Sequence, residues 1–341
     1  MPITLAKPYP RLWTLEAGVA MVVTDLHGDW DAYRRYRDRF VDLQANGRAD
    51  CLVFTGDLIH PENPAEPDKS LEIVLDVMAL QASYGSAIIY LCGNHEMPHI
   101  YGINLARGER IYTPAFEAIL SESQRRTEVI ALFDSLPFFL RTHAGVTLAH
   151  AGASAPFANP ENALILFNWS HQGLLAWADE ILTSEDIESL RTGYARFQQA
   201  PSYEAMARYY LAVSGPDDPR YNDLLRGFIA TSHPTFDNLL WPALFTRCEK
   251  EYGLADYSIF LNAMLQEMAV DFPPQRLLVA GHITMRGGSQ FITERHLRLA
   301  SAHHATPREA GQYLLFDTAQ SVERLEDLLP GLGSVYGFTP Y

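Results

Sequence analysis

The chain is short of cysteine and of positive charge, and it has no long apolar run. Its three cysteines, Cys51, Cys92 and Cys248, are too few for a disulfide framework. Cys51 and Cys92 fall inside strand-like patterns, where a thiol serves as a small buried hydrophobe. Lysine and arginine total 26 against 41 acidic residues, a formal net charge of -15. A field of that sign repels phosphate backbones and anionic bilayers, which excludes nucleic acid and membrane as general partners. A local basic patch can still hold one phosphate. No stretch of 18 uninterrupted apolar residues occurs, and the start shows no charged n-region followed by an apolar core. The expected location is a reducing cytoplasm.

Three catalytic signatures are also missing. No cysteine stands six residues before an arginine, so a cysteine-nucleophile phosphatase loop is excluded. Neither Gly-x-x-x-x-Gly-Lys-[Ser/Thr] nor Gly-x-Ser-x-Gly occurs, which removes P-loop and α/β-hydrolase chemistry.

What is present is a chain of 341 residues, 48% hydrophobic, with enough apolar material for a sizeable core. Length alone allows two domains or one large α/β domain. After an irregular, proline-bearing lead-in over 1–18, a strand is expected at 19–24, a helix after it, and a strand at 51–55. A helix over about 70–84 and a strand at 87–92 follow. Strand, helix, strand, helix, strand at this spacing is the pattern of a parallel, doubly covered sheet. One helix is expected around 114–134, and further strands at 145–149 and 276–280. Residues 289–325 alternate as antiparallel strands do. Between about 157 and 238 the pattern is helical only. It reads as an insertion into a single domain spanning 1–341, with Tyr194, Phe197, Tyr209 and Tyr210 in its core.

Five of these strands release polar side chains at their carboxyl ends: Asp25 and His27, Asp57, Asn94 with His95, His150, and His282. Open α/β sheets place their chemistry there. Taken singly, each position has a plain reading, an aspartate as a helix cap or a histidine as a hydrogen-bonded core residue. Five in succession do not. Imidazole, carboxylate and amide oxygen together suit manganese, iron or zinc. Even six ligands from this set are too many for one tetrahedral site and suit two ions sharing a carboxylate. The Asp25-x-His27 spacing would put both side chains on one side of an extended segment. His303-His304 reads as an exposed pair.

Asp25-x-His27-Gly28, Gly56-Asp57, Gly93-Asn94-His95-Glu96, His150-Ala151-Gly152 and Gly281-His282 resemble the ordered motifs of calcineurin-like metallophosphoesterases. The likeness covers roughly 19–155 and 275–288. Within that superfamily the chain is similar to the serine/threonine protein phosphatase branch, especially its bacterial, Shewanella-like members. The resemblance implies an α/β sandwich of two sheets with flanking helices. It implies two divalent ions (Mn²⁺, Fe or Zn²⁺), one on Asp25, His27 and Asp57, the other on Asp57, Asn94, His150 and His282. His95 would be the general acid rather than a ligand, and a hydroxide between the ions the nucleophile. Thr284 stands where other members carry a second histidine, which would leave the first ion with more water ligands and faster exchange.

The branch usually reads Gly-Asp-x-x-Asp-Arg-Gly, whereas this chain reads Gly56-Asp57-Leu58-Ile59-His60-Pro61-Glu62. His60 replaces the carboxylate that orients the acid, which counts it among the catalytic candidates, with Glu62 and Glu96 as substitutes for the carboxylate. Pro61 replaces the phosphate-binding arginine. Arg247, after Leu239-Leu240-Trp241, is the first replacement, then Arg286 and Arg110; Asn94 also faces phosphate by the resemblance. The expected activity is hydrolysis of phosphomonoesters, with phosphoprotein or a small phosphoester as substrate. Two other readings stand beside it: hydrolysis of dinucleoside polyphosphates of the diadenosine tetraphosphate type, and an inactive binding scaffold. The oligomeric state is not legible.

Overall fold

Val19–Val23, Cys51–Phe54 and Ile88–Tyr90 pair side by side in parallel, Ala20 opposite Cys51 and Leu52 opposite Ile88. The structure is a computed structural model and describes residues 3–62, 67–245 and 248–337. The crossovers between these strands are the helices Trp30–Ala45 and Ser70–Tyr84. Asp29 starts the first by accepting the Ala32 N–H, and Gly85 ends the second at a positive φ of 59°. Tyr313–Asp317 adds an antiparallel neighbour to Val19–Val23, and Leu332–Gly333 completes a five-stranded sheet.

The second sheet has seven strands, in the spatial order Thr4–Ala6, Leu12–Ala17, Phe139–Thr142, Val146–Ala149, Leu277–Ala280, His296–Leu299 and Ser289–Thr293. Ala20, Val22, Val53 and Ile89 of the first sheet pack with Leu140, Val146, Leu148, Val279 and Leu297 of the second. The two sheets therefore meet face to face, and each buried aliphatic side chain contributes about 1.5–3 kcal/mol. Cys51 and Cys92 are buried.

One expectation changes here. Residues 3–18 are not irregular throughout, because Thr4–Ala6 and Leu12–Ala17 are strands. Pro8 and Pro10 mark only the turn between them. Of the five strands that carry the polar ends, three lie in the five-stranded sheet and two in the other.

The chain forms two compact units, one from 1–94, 136–169 and 241–341, the other from 95–135 and 170–240. The first holds both sheets. The second is helical, with one small hairpin of Ala106–Arg107 and Arg110–Ile111. The single helix expected around 114–134 is two, Thr113–Ser123 and Arg126–Ser135, broken at Gln124 with φ 57°. Ser170, Asp186 and Ser202 cap the next three helices with their side chains. Tyr203, Met206, Leu211, Leu224 and Leu225 form the core of this unit. The aromatic stripe is only partly core, since Phe197 is 69% exposed and Tyr209 57%. Among the described residues no helix is long and apolar enough to cross a membrane.

Candidate metal centre

Three of the five strand ends are strained in the same way. Asp25, His27, Asp57, His60 and His282 all have positive φ, between 43° and 68°. Such angles are uncommon outside glycine and cost about 1–3 kcal/mol each, so surrounding structure must hold them. The Asp25–His27 segment is therefore not extended, as its spacing suggested. Its backbone is stitched to the neighbouring strand end instead, because the N–H groups of Leu26 and His27 both donate to Asp57 O at 2.9 Å. Thr24 N–H donates to Ser301 Oγ, tying this loop to the end of His296–Leu299 in the other sheet.

Two glycines of the motifs are explained by close approach. A Cβ on Gly56 would lie 2.7 Å from the Gly93 backbone and 2.8 Å from His150 Nδ1. A Cβ on Gly281 would lie 2.0 Å from Asp25 Oδ2. Only glycine lets these strand ends converge.

Two groups of ligand atoms lie wholly within the first unit. Asp57, His150 and His282 form one, and Asp25, His27 and His304 the other. In the first group His150 Nδ1 lies 3.0 Å from the Thr55 carbonyl oxygen. A carbonyl only accepts, so Nδ1 carries a proton and Nε2 is the nitrogen left to act as a ligand. That nitrogen faces Asn94 Oδ1 at 2.9 Å, His282 Nδ1 at 3.0 Å and Asp57 Oδ2 at 3.4 Å. Acceptors converging on acceptors in a buried place is a donor set built for a cation. Burial and then the neighbouring His150 hold the His282 imidazole down to about 3, so it too offers a lone pair.

The second group is as dry. His27 Nε2 stands 3.2 Å from His304 Nε2, and His304 Nδ1 stands 3.3 Å from Asp25 Oδ1. Burial opposes ionisation of Asp25, but His304 outweighs it and holds the carboxyl down to about 2. Burial also lowers the His27 imidazole. For His304, burial pulls down while Asp25 pulls up, and the net direction is upward. Asp57 Oδ2 is 3.8 Å from His27 Nε2 as well as 3.4 Å from His150 Nε2, so one oxygen reaches toward both groups.

The structure thus brings together Asp25, His27, Asp57, Asn94, His150 and His282. It adds His304, which the sequence reading left in an exposed pair. His304 is 5% exposed and its ring faces His27. The signal was available: Ser301-Ala302-His303-His304 follows the buried strand His296–Leu299 as the other polar clusters follow theirs. Burial of all four strand residues was masked in the sequence by His296 and Arg298.

The remaining candidates are placed as follows. His95 opens the second unit directly after Asn94, is buried, and meets the ring of Tyr112 edge-on at 4.9 Å. His60 is buried and its N–H donates to Ser70 Oγ. Glu96 is buried before the helix Met97–Tyr101. Arg286 is exposed on the short strand Met285–Arg286, and the Arg110 guanidinium lies 4.8 Å over the Tyr112 ring. Arg247 lies outside the described residues.

The family model for calcineurin-like phosphoesterases matches residues 19–217, more than half of the chain. The chain belongs to that family. It is accordingly a phosphoester hydrolase, and the match takes in the Asp25, Asp57, Asn94 and His150 segments. His282 and His304 lie beyond the matched residues. No curated protein sequence matches the chain. Among solved structures, the chain is similar to a protein serine/threonine phosphatase from Saccharomyces cerevisiae, at 15% identity over 90% of this chain and 76% of that one, TM-score 0.46. It is also similar to a cold-active protein-tyrosine phosphatase of a psychrophilic Shewanella, at 14% identity over 95% and 80%, TM-score 0.49. A putative diadenosine tetraphosphatase shares 24% identity over 43% of this chain and 56% of its own, TM-score 0.28.

Proposed function

We propose that this phosphoesterase hydrolyses phosphomonoesters, phosphoprotein first among them, with two divalent ions (Mn²⁺, Fe or Zn²⁺) seated on the strand ends. The observation that carries this reading is the position of Asp57 Oδ2 within 3.8 Å of both His27 Nε2 and His150 Nε2, where one carboxylate serves two sites. Asp25, His27 and Asp57 would hold one ion; Asp57, Asn94, His150 and His282 would hold the other. When bound, such a pair lowers the pKa of a water to roughly 7 and screens the charge of the phosphoryl oxygens.

The chain's own residues do the rest. Asp25 keeps its charge because the His304 imidazole beside it favours the carboxylate. Thr55 O fixes the tautomer of His150, so that Nε2 stays a ligand. His95, adjoining the ligand Asn94 in the chain, gives its proton to the ester oxygen as the P–O bond breaks, and regains one from water afterwards. Arg247, or Arg286 in its place, meets the phosphate oxygens that Pro61 cannot. The buried thiols Cys51 and Cys92 suit a reducing cytoplasm. Turnover of a phosphoserine peptide and of diadenosine tetraphosphate, each measured with Mn²⁺, tests the reading. Preference for the peptide is expected. Preference for the dinucleotide would overturn the substrate class, and no turnover of either would overturn the activity.

A further inference from the structure

His304 is a buried imidazole at the strand ends that no motif accounts for. It comes from the loop after His296–Leu299, and three contacts fix where that loop goes. Its carbonyl oxygen accepts the N–H of Met285 at 2.8 Å, within the parallel pairing of Met285–Arg286 with Ala305–Thr306. Ser301 accepts the N–H of Thr24, next to Asp25. Arg308 donates from Nε to Asp29 Oδ2 at 2.7 Å and from Nη2 to Asp31 Oδ2 at 3.1 Å. The segment 301–308 is thus strapped at both ends to the loop that carries Asp25 and His27.

The pairing register has a consequence for position 284. Met285 sits opposite Ala305 and Arg286 opposite Thr306 in a parallel ladder, so one step back His304 sits opposite Thr284. Thr284 is exposed, and its hydroxyl is a poor ligand for a divalent transition ion. The residue across the ladder from it is buried and supplies an imidazole. Its two nitrogens stand 3.2 Å from His27 Nε2 and 3.3 Å from Asp25 Oδ1.

We infer that His304 is a direct ligand of the first divalent ion, completing a set of Asp25, His27, Asp57 and His304, with the Arg308–Asp29 ion pair as the strap that positions it. This rests on the two-ion reading above. Both sites then offer four protein ligands. The first carries two carboxylates and two imidazoles, and the second one carboxylate, one amide and two imidazoles. The first ion is consequently held firmly and exchanges slowly, the reverse of what Thr284 alone suggests.

The test is Mn²⁺ binding to the full chain after chelator treatment, followed by equilibrium dialysis and by the electron spin resonance of the bound ions. Wild type should hold two ions with the spin coupling of a close pair. His304→Ala, which has no ligand atom, should keep one ion firmly, lose the coupling at Mn²⁺ levels that saturate wild type, and bind the second at least ~10-fold more weakly. His304→Asp, which restores a ligand atom, should regain the second ion and the coupling. Two ions with unchanged affinity in His304→Ala would overturn the inference and leave the two-ion reading intact. Equal loss in the Ala and Asp variants, both melting as wild type does without metal, would make His304 a packing residue and overturn it too. Should the Ala variant not fold, His304→Leu takes its place against His304→Asp. Fewer than two ions on wild type would overturn the two-ion reading itself.

Discussion

Both carboxylate oxygens of Asp25 accept the backbone N–H of His282, each at 3.0 Å. Asp25 ends a strand of the five-stranded sheet and His282 follows a strand of the seven-stranded one, so this bond closes the two sheets at their carboxyl edges. It aligns Asp25 as a ligand and fixes the strained backbone at His282 in the same contact. The contact exists only because residue 281 has no side chain.

Gly281→Ala tests that closure. Its Cβ would enter Asp25 Oδ2 at 2.0 Å, so either the carboxylate or the 281–282 backbone must move. A shift of this kind at a ligand should lower activity by at least ~10-fold and cost about 1–3 kcal/mol in stability. Kinetics and urea unfolding measure the two effects. Wild-type values for both would show that Asp25 has slack the structure does not suggest.

Much of this centre was legible before the structure, for a physical reason. Apolar β-branched runs such as Ala87-Ile88-Ile89-Tyr90 announce buried strands, and the polar residues that interrupt them, Asp57 or His150, then stand out. His304 did not stand out because its strand, His-Leu-Arg-Leu, reads as half-exposed. In the fold His296 and Arg298 are both buried, His296 hydrogen-bonded to Tyr257 and Arg298 paired with Glu249. Their partners lie 39 and 49 residues away in the chain, beyond the reach of any local pattern. The strands at 4–6 and 12–17 were hidden by prolines that belong to the turn between them. Left-handed angles at Asp25 and His27 come from tertiary hydrogen bonds to Asp57 O, which spacing alone cannot reveal.

The second unit carries a buried charge whose effect on stability can be read by pH. Glu117 is fully buried and accepts from His99 Nδ1 at 2.8 Å, Arg126 Nε at 2.9 Å and Arg220 Nη1 at 3.4 Å. Burial alone would raise its pKa, but His99 and then Arg126 reverse this and hold the carboxyl down to about 2, against 4.5 unfolded. Between those values the unfolded chain binds a proton that the folded chain refuses. The contribution is therefore full above pH 4.5 and is lost as pH falls toward 2, at up to about 1.4 kcal/mol per pH unit. Urea unfolding of wild type and Glu117→Gln should show a gap that narrows across this window. A gap independent of pH would remove Glu117's charge from the account.

Removing the carboxylate altogether is a harsher change. Glu117→Ala leaves Arg126 and Arg220 without their shared partner in a mostly dry setting, and breaking such a pair typically costs about 3–5 kcal/mol. Both arginines keep about a fifth of their side chains exposed, 18% and 20%, so water relieves part of that and the lower end is expected. Loss of the second unit's near-ultraviolet signal at a lower urea concentration than wild type would register it. An unchanged midpoint would mean that the two guanidinium groups find solvent at no cost.

The last prediction concerns His95, which the proposal treats as an acid and not as a ligand. It follows the ligand Asn94 directly in the chain, and its ring is held edge-on by Tyr112. His95→Asn should therefore leave Mn²⁺ stoichiometry at the wild-type value while lowering kcat. The size of the loss should depend on the leaving group. An alkyl phosphate departs as a strongly basic alkoxide and needs the proton, so the loss there should approach the 10²–10⁴-fold range of general acid catalysis. p-Nitrophenyl phosphate departs as a stable phenolate and should lose far less. Equal losses on both substrates with metal content unchanged would show that His95 positions the phosphoryl group and does not protonate the leaving oxygen. A fall in metal content would make it a ligand, contrary to the assignment of Asn94 alone from this segment. Only the unequal loss at full metal occupancy fits an acid, because no structural defect distinguishes two esters by the basicity of the oxygen they release.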